Sequence, residues 1–553
     1  MRLPIQFMDR ATATQQEGTR QMSGETVGQA APSPASPGDP PADQPTEIEI
    51  KFQADRAALE RVLAARHLQG AAIAPERELL STYFDTPGRE LQRAGLTLRL
   101  RRKGRATPVL SVKWTNTGAG DLFIRGEVET RAPEGEPDIA LFAPALRDRL
   151  KQIVGDRPLA PVFKTHVQRR TAVVRHGRSA FELALDDGVI LANDQSRPVT
   201  EVEVELKSGH AQDLLGLGRA LALDCGLSLA FEPKAGRGYR LADQAVARPH
   251  KARPLDIAPQ ASFEDVIAAV IGNCLSHFTA NWAALRETDA PESVHQLRVA
   301  LRRLRSALRI LRKRISLPEL EDIRARARDI ASALGPARAC DVFRHNALAG
   351  PFHDQPGRLA AAAPLLDAVE VARRDAYAAA RRVIDDPATS LFVLDVQSVL
   401  LQRAWRTAPA PEDLGLLTAP ARDVAAKLLD GLRKRVLKRG KHLPGMPDGE
   451  RHDLRIALKN LRYAAEFFGP LFARDKAQRS FLRLVSDLQE DLGAHNDAAT
   501  AEAFIQSLNL AADAPAQFAA GYVLGFYRHA MLAADTHLAR KWKDFRRAGA
   551  FWA

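Results

Sequence analysis

Two hydrophobic periods divide the chain. Between Thr46 and about Leu241, apolar and polar positions alternate in short runs: Glu47-Ile-Glu-Ile-Lys-Phe52, Leu96-Thr-Leu-Arg-Leu-Arg101, Leu110-Ser-Val-Lys-Trp114, Phe123-Ile-Arg-Gly-Glu-Val-Glu129, Phe181-Glu-Leu-Ala-Leu-Asp186 and Glu201-Val-Glu-Val-Glu-Leu206. Alternation at period two predicts strands with one apolar and one polar face. Helices are predicted near Ala54–Ala65, Pro144–Ile153 and Ala211–Leu223. Pro249, Pro254 and Pro259 mark residues 247–262 as a linker. Beyond it the period changes to 3.6 and stays there, so 263–550 is predicted to be all-α. Residues 1–45 lack periodic apolar positions, end in a proline-rich stretch and read as a disordered lead before a β-rich domain over 46–246. The lead has no apolar core of a signal peptide, and Met8 and Met22 offer later start positions.

The helical half contains an internal repeat. Val294-His-Gln-Leu-Arg-Val-Ala-Leu-Arg-Arg-Leu-Arg305 lines up with Arg451-His-Asp-Leu-Arg-Ile-Ala-Leu-Lys-Asn-Leu-Arg462. Leu334-Gly-Pro-Ala-Arg-Ala-Cys-Asp341 echoes Leu492-Gly-Ala-His-Asn-Asp497 at almost the same offset. Two copies of one helical unit, packed against each other, are expected.

The chain's 553 residues exceed what one hydrophobic core serves. Its 45% hydrophobic and 26% charged residues are ordinary for globular protein and exclude dominant disorder. No uncharged apolar stretch of about 18 residues or more suggests a transmembrane helix. Cys225, Cys274 and Cys340 are too scattered for a disulfide framework or zinc knuckle, so a reducing, cytoplasmic location is expected. The net charge of +12 favours a polyanionic partner, and it is unevenly placed: residues 261–553 hold 43 Lys and Arg against 34 Asp and Glu, a net of +9.

In the β-rich half the charged strand faces carry the chemistry. Glu47, Glu49 and Lys51 share a face, as do Arg99 and Arg101, then Arg125, Glu127 and Glu129, then Glu201, Glu203 and Glu205. Carboxylates in line repel, so such strands want cations or a metal opposite them. A closed, barrel-like sheet with its charged faces inward satisfies both signs. Arg and Lys would grip phosphate oxygens, and clustered Glu would hold a hard divalent cation through oxygen ligands. That combination suits hydrolysis of a polyphosphorylated substrate. No Ser/His/Asp or Cys/His arrangement and no phosphate-binding Gly-rich loop occurs, and His67 and His166 are expected to be surface or satisfied histidines.

At these residues the sequence resembles the CYTH (triphosphate tunnel metalloenzyme) superfamily. Glu47-Ile-Glu-Ile-Lys51 matches its ExExK signature. In order follow Tyr83-Phe-Asp-Thr-Pro87, Gly95-Leu-Thr-Leu-Arg-Leu-Arg101, the Lys113 strand, Arg125 with Glu127, the Glu201–Glu205 strand and Pro233-Lys-Ala-Gly-Arg-Gly-Tyr239. The match runs over about 46–243 and is nearest the bacterial inorganic triphosphatase branch. It implies an eight-stranded antiparallel tunnel that binds triphosphate with Mg²⁺ or Mn²⁺. It makes Glu47, Glu49, Glu203 and Glu205 candidate metal ligands, and Lys51, Arg99, Arg101, Lys113, Arg125, Arg169 and Lys234 candidate triphosphate ligands. Glu47, Glu49, Lys51 and Lys113 become the catalytic candidates. Arg170, of opposite strand parity, competes with Arg169 for the inward place. Glu182 and Asp186 share a face that could complete the metal shell.

In the helical half, His295, Arg298, Arg302, Arg305 and Arg309 recur at spacings of three and four beside an apolar stripe of Leu297, Leu301, Leu304, Leu308 and Leu311. The second copy keeps His452, Arg455, Lys459 and Arg462, then breaks with Glu466; its apolar stripe is Leu454, Leu458, Leu461, Ala465 and Phe468. Acids are absent over Arg298–Arg314, and another basic run follows at Arg433–Lys441. An anion-binding groove explains repeated cations better than a solvated face does. The two histidines would make it pH-sensitive near neutrality. The basic stripes contain no aromatic stacking platforms, which favours a phosphate chain over nucleic acid. This half resembles the CHAD domain over about 261–550, through the paired H-x-x-R-x-x-x-[RK]-x-x-R segments and the two Leu-Gly segments with Asp341 and Asp497. The resemblance implies two pseudo-symmetric bundles and makes His295, Arg298, Arg302, Arg305, His452, Arg455, Lys459 and Arg462 candidate ligands of inorganic polyphosphate. Asn460 in place of Arg303, and His495-Asn496 in place of Ala337-Arg338, depart between the copies.

The expected protein is a multidomain α+β chain: an N-terminal antiparallel eight-stranded tunnel that hydrolyses inorganic triphosphate, and a C-terminal all-α pseudo-repeat that binds polyphosphate. Partners expected are these two anions, with no specific nucleic acid and no membrane, and association with polyphosphate granules. The alternatives are a nucleotide or thiamine triphosphatase, an adenylate cyclase on the same tunnel, or a non-enzymatic granule component.

Overall fold

The alternating runs close into a barrel. The computed structural model describes residues 46–115, 123–312 and 317–553, except 354, 408–410, 444, 474, 511 and 512. The lead, 1–45, lies outside them. Strands β1 (Thr46–Gln53), β2 (Arg77–Asp85), β3 (Leu96–Lys103), β4 (Val109–Thr115), β5 (Ile124–Arg131), β6 (Ala160–His176), β7 (Ser179–Ala192) and β8 (Gln195–Ser208) are all antiparallel, in the order β5-β4-β3-β2-β6-β7-β8-β1. β1 closes the ring. Its first half pairs with β5 (Glu47 opposite Arg125), and its second half pairs with β8 (Lys51 opposite Glu203). The two-residue strand β9 (Ser228–Leu229) takes over the other edge of β1 where β5 leaves it. Closure leaves little free strand edge and commits each strand to one inward and one outward face.

Five helices dress the barrel: α1 (Arg56–Leu63), α2 (Glu90–Arg93), α3 (Pro144–Val154), α4 (Ala211–Cys225) and α5 (Lys234–Ala242). α3 covers β3 and β4 through Leu146 and Leu150 against Leu98, Leu100 and Val112. α5 reaches the barrel through Tyr239, which joins Tyr83, Phe163 and Ile190 in a separate small core. Gly238 makes that approach possible, because a Cβ there would lie 2.1 Å from the Phe163 ring.

The second half is helical throughout: α6 (Phe263–Ala280), α7 (Trp282–Glu287), α8 (Pro291–Leu311), α9 (Pro318–Ala333), α10 (Gly335–Ala349), α11 (Pro356–Ala361), α12 (Ala363–Asp385), α13 (Pro387–Gln402), α14 (Pro411–Thr418), α15 (Ala421–Arg439), α16 (Asp448–Phe468), α17 (Lys476–Ser507) and α18 (Ala514–Arg547). The repeat is visible in the backbone. At the start of the two copies Phe263 N–H donates to the Ala419 carbonyl, and Ala421 N–H donates to the Ala261 carbonyl, both at 3.0 Å. These two bonds exchange when the copies exchange, as an approximate two-fold axis requires. The apolar stripes of α8 and α16 are buried throughout. Among the described residues no helix is long and apolar enough to cross a membrane.

The described residues from Thr46 to Ala553 belong to one compact unit. The outward faces of β1 and β8 (Ile50, Phe52, Val202, Val204) and α4 join Phe263, Ile267, Phe278, Phe392 and Leu394 of the helical half in one continuous core. Segment 247–262 has no regular element, yet it is pinned to the helices. His250 and Asn281 exchange two hydrogen bonds at 2.8 and 2.9 Å, and Asn273 donates to the Arg253 carbonyl.

Candidate active site and anion groove

The barrel interior inverts the usual arrangement, being lined with charge. Period two turns Glu47, Glu49 and Lys51 inward from β1, and register sets Glu201, Glu203 and Glu205 beside them on β8. Buried ions need partners, and nearly all have them. Lys51 Nζ lies 2.9 Å from Glu49 and bonds Glu203; Arg125 meets Glu49 at 3.2 Å. Lys113 bridges Glu47 at 2.7 Å and Glu127 at 2.8 Å. Arg99 bonds Ser111 at 3.1 Å and Glu127 at 3.0 Å. Arg169, not Arg170, faces inward: it forks onto Asp186 and reaches Glu203, all at 2.6 Å, while Arg170 pairs outside with Glu60 at 2.9 Å. Burial opposes ionisation of Glu203, but Lys234, Lys51 and Arg169 hold its pKa well below the usual range.

Arg101 differs. Its described partner is the Ser81 hydroxyl at 3.3 Å, and no carboxylate among the described residues pairs with it. Burial first, then Arg99 and Arg169, push its pKa down to about 10. It remains charged at neutral pH and is the tunnel cation with least compensation, which is what an incoming anion would correct.

Lys234 enters from α5. Its ammonium is 2.7 Å from Asp186 and 2.9 Å from Glu203 and also bonds Glu201, while Arg237 of the same helix bonds Glu201. Asp186, Glu201 and Glu203 each offer a carboxylate oxygen within 4.8 Å of the others. All-oxygen donors at that spacing fit a hard divalent cation. Of the four expected metal ligands only Glu203 belongs to this trio. Glu49 is taken up by Lys51 and Arg125. Glu47 and Glu205 meet on neighbouring strands with Glu182 across β7–β8. There burial, then Glu47 and Glu182, raise the Glu205 pKa against the pull of Lys207, 2.6 Å away. This is a second place where a cation would relieve repulsion. Glu201, Arg237 and Lys207 are tunnel residues that the sequence reading did not single out as ligands; strand parity could have found Glu201 and Lys207. His67 and His166 pair on the surface with Asp224 and Glu78 at 3.0 and 2.7 Å.

In the helical half, α8 and α16 set their basic stripes against each other. Lys459 is pushed down to about 8 by burial, then by Arg455, by Arg302 of the other copy and by Arg462, with Asp497 opposing. Arg298 is pushed down to about 10 by burial, Arg302, Arg338 and Arg305. The Nε atoms of Arg298, Arg305, Arg455 and Arg462 are buried without a hydrogen-bond partner. Arg298 otherwise donates to the Ala331 carbonyl, and Arg462 meets Glu466 at 3.4 Å. Cations of both copies therefore converge with few carboxylates between them, and Arg338 of α10 joins them.

One expectation is corrected. Burial, then Arg338, lower the His295 pKa to about 4, so His295 is neutral and does not titrate near pH 7; His452 is exposed. The two aspartates of the Leu-Gly segments also separate. Asp341 is sealed by Arg373 at 2.9 Å and Tyr377 at 2.8 Å, whereas Asp497 lies within electrostatic reach of Arg455 and Lys459. The side chains of His495 and Asn496 lie outside the described residues. In the Arg433–Lys441 run, which begins on α15 and ends just beyond it, Arg433 bonds the Ala548 carbonyl and Arg439 the Asp453 carbonyl.

Comparison with known proteins agrees with this division. The sequence model of the CYTH domain matches residues 45–239, and that of the CHAD domain matches 269–506. An inorganic triphosphatase of Haemophilus influenzae is 29% identical over 166 residues, 29% of this chain, and the match spans 45% of that relative's length. An uncharacterized protein of Mycobacterium tuberculosis is 27% identical over 487 residues, covering 83% of this chain and 88% of its own. Among solved structures, the CHAD domain from the plant Ricinus communis is 30% identical, covering 55% of this chain and 98% of its own, with a TM-score of 0.47. The chain thus carries a CYTH domain in its charged tunnel, over 45–239, and a CHAD domain in its basic helical pair, over 269–506.

Proposed function

We propose that the tunnel hydrolyses inorganic triphosphate with Mg²⁺ or Mn²⁺ and that the groove between α8 and α16 binds inorganic polyphosphate. The observation that carries the first reading is a closed interior in which Arg101 has no carboxylate partner among the described residues while Asp186, Glu201 and Glu203 converge within 4.8 Å. Likeness to the Haemophilus triphosphatase supports it. Arg99, Arg125 and Lys113 would hold the phosphate chain by exchanging their present carboxylates for phosphoryl oxygens, and Arg101 would add its uncompensated charge. Asp186, Glu201 and Glu203, or Glu47, Glu182 and Glu205, would hold the metal. A bound divalent ion would neutralise phosphate charge and lower the pKa of the attacking water. Lys51 would stabilise charge on the transferred phosphoryl group, while Lys234 would help to hold the bound phosphate chain.

Phosphate release from the full chain with triphosphate, ATP and thiamine triphosphate, with Mg²⁺, Mn²⁺ or a chelator, tests this reading. Preference for triphosphate and loss with chelator are expected; release from none of them rejects it. For the groove, buried Tyr463 and Phe467 lie beneath Arg462 and Arg303 and offer no exposed ring for a base. A simple phosphate chain is therefore favoured over nucleic acid. Changing Arg298, Arg302 and Arg305 together to Ala in the full chain should cost at least about ten-fold in polyphosphate affinity and flatten its salt dependence. Unchanged affinity rejects the groove.

A further inference from the structure

We infer that Glu287, a residue of the helical domain, positions Lys234 in the tunnel, so that the CHAD domain completes the substrate site of the CYTH domain. The inference rests on the reading of the tunnel as a triphosphate site. Glu287 is the last residue of α7, and its carboxylate gathers three donors, two from the tunnel domain and one from the start of the connecting segment 247–262. Arg197 of β8 meets Oε1 at 2.6 Å, Arg240 of α5 meets the same oxygen at 2.7 Å, and the Ala247 N–H reaches Oε2 at 3.2 Å. Arg197 precedes Glu201 on one strand; Arg240 follows Lys234 and Arg237 on one short helix. A single carboxylate thus ties the strand that carries the acids to the helix that carries the lysine.

Arg286 extends the clamp to the neighbouring strand. It donates to Gln53 at 2.7 Å, two residues beyond Lys51 on β1, to Ser228 of β9 at 2.8 Å, and to Asp385 at the end of α12. The dipeptide Arg286-Glu287 therefore grips β1, β8 and α5 together, and these three elements supply Lys51, Glu203 and Lys234. Without the Glu287 charge, Arg197 would lose the carboxylate it shares with Arg240, and Arg240 would keep Glu232 alone. The two arginines already repel: beyond burial and the opposing pull of Glu287, Arg197 lowers the Arg240 pKa. Their separation would swing α5, and its Lys234 end would leave the Asp186, Glu201 and Glu203 carboxylates. Glu287 touches no predicted substrate position, so it is a positioning residue.

The test uses the full chain with triphosphate and Mg²⁺ and compares Glu287→Gln, Lys234→Ala and the double variant. Glu287→Gln should raise KM about five-fold with kcat nearly unchanged. In the Lys234→Ala background it should add nothing, because the group it positions is gone. Polyphosphate affinity of the groove should not change. An unchanged KM, or an equal rise in KM in both backgrounds, overturns the inference. Should Glu287→Gln fail to fold, Arg240→Gln cuts the same link from the tunnel side and is read by the same non-additivity. No hydrolysis by the unmodified chain overturns the tunnel reading and this inference together; hydrolysis with additive effects overturns this inference alone.

Discussion

Arg101 and Lys234 are both buried tunnel cations, but they have opposite energetics. Arg101 has no carboxylate partner among the described residues, so Arg101→Ala should leave the melting temperature unchanged or slightly raised. Triphosphate kcat/KM should fall by about 10²-fold, the loss typical of one preorganised charge. Lys234→Ala removes the cation shared by Asp186, Glu201 and Glu203 and leaves them to Arg169, Arg237 and Lys51. It should destabilise the metal-free protein by about 3 kcal/mol, with part of the loss recovered on adding Mg²⁺, as thermal unfolding with and without the ion would show. In the groove, the Lys459 pKa near 8 gives a signed pH effect. Bound polyanion favours the protonated amine, so affinity should be full below pH 7 and fall between pH 7 and 9. Lys459→Arg, charged throughout, should remove that fall in a binding titration. Stability runs the other way. A lysine whose folded pKa is depressed binds fewer protons folded than unfolded above pH 8, so its destabilisation is relieved as pH rises toward its ordinary value. Strand parity made most inward residues legible, because side-chain direction repeats every two residues. Parity could not choose Arg169 over Arg170, since that depends on how β6 registers with β7.

At the scale of elements, α5 shows what a motif conceals. Pro233-Lys-Ala-Gly-Arg-Gly-Tyr239 was legible as a resemblance, but nothing local says that it forms a helix laid against the barrel. Gly238 sets that position, with a Cβ only 2.1 Å from Phe163. Gly238→Ala should therefore lower stability by about 1–3 kcal/mol and reduce hydrolysis more than a surface substitution of equal destabilisation, because α5 carries Lys234 outward with it. Melting temperature and kcat/KM, measured on the same preparation, check both. The long strand β6 escaped the alternation signal for a related reason. Its partly buried run Gln168–Thr171 mixes inward and outward polar groups, whereas β1 and β8 alternate cleanly. The stripes of α8 and α16 were readable in full because each helix buries one apolar face. That they confront one another was not, since only the approximate two-fold pairing at Phe263 and Ala421 brings Arg302 near Lys459.

For the whole molecule, the continuous core across β1, β8, α4, α6 and α13 predicts cooperative unfolding. Calorimetry of the full chain should give one transition. Residues 46–246 expressed alone should aggregate or melt well below it, since Ile50, Phe52 and Val202 would lose their cover. Two separate transitions would contradict this. Sequence by itself determined the two fold classes, the repeat, the inward charge of the strands and the two cationic stripes, because each follows from a local period or a residue count. Only the tertiary structure decided which acid meets which cation, that His295 is held neutral, and that Glu287 of the helical domain bonds Arg240 on the helix that carries Lys234. Those outcomes depend on burial and on charges brought together from distant segments, and neither is encoded in any local pattern.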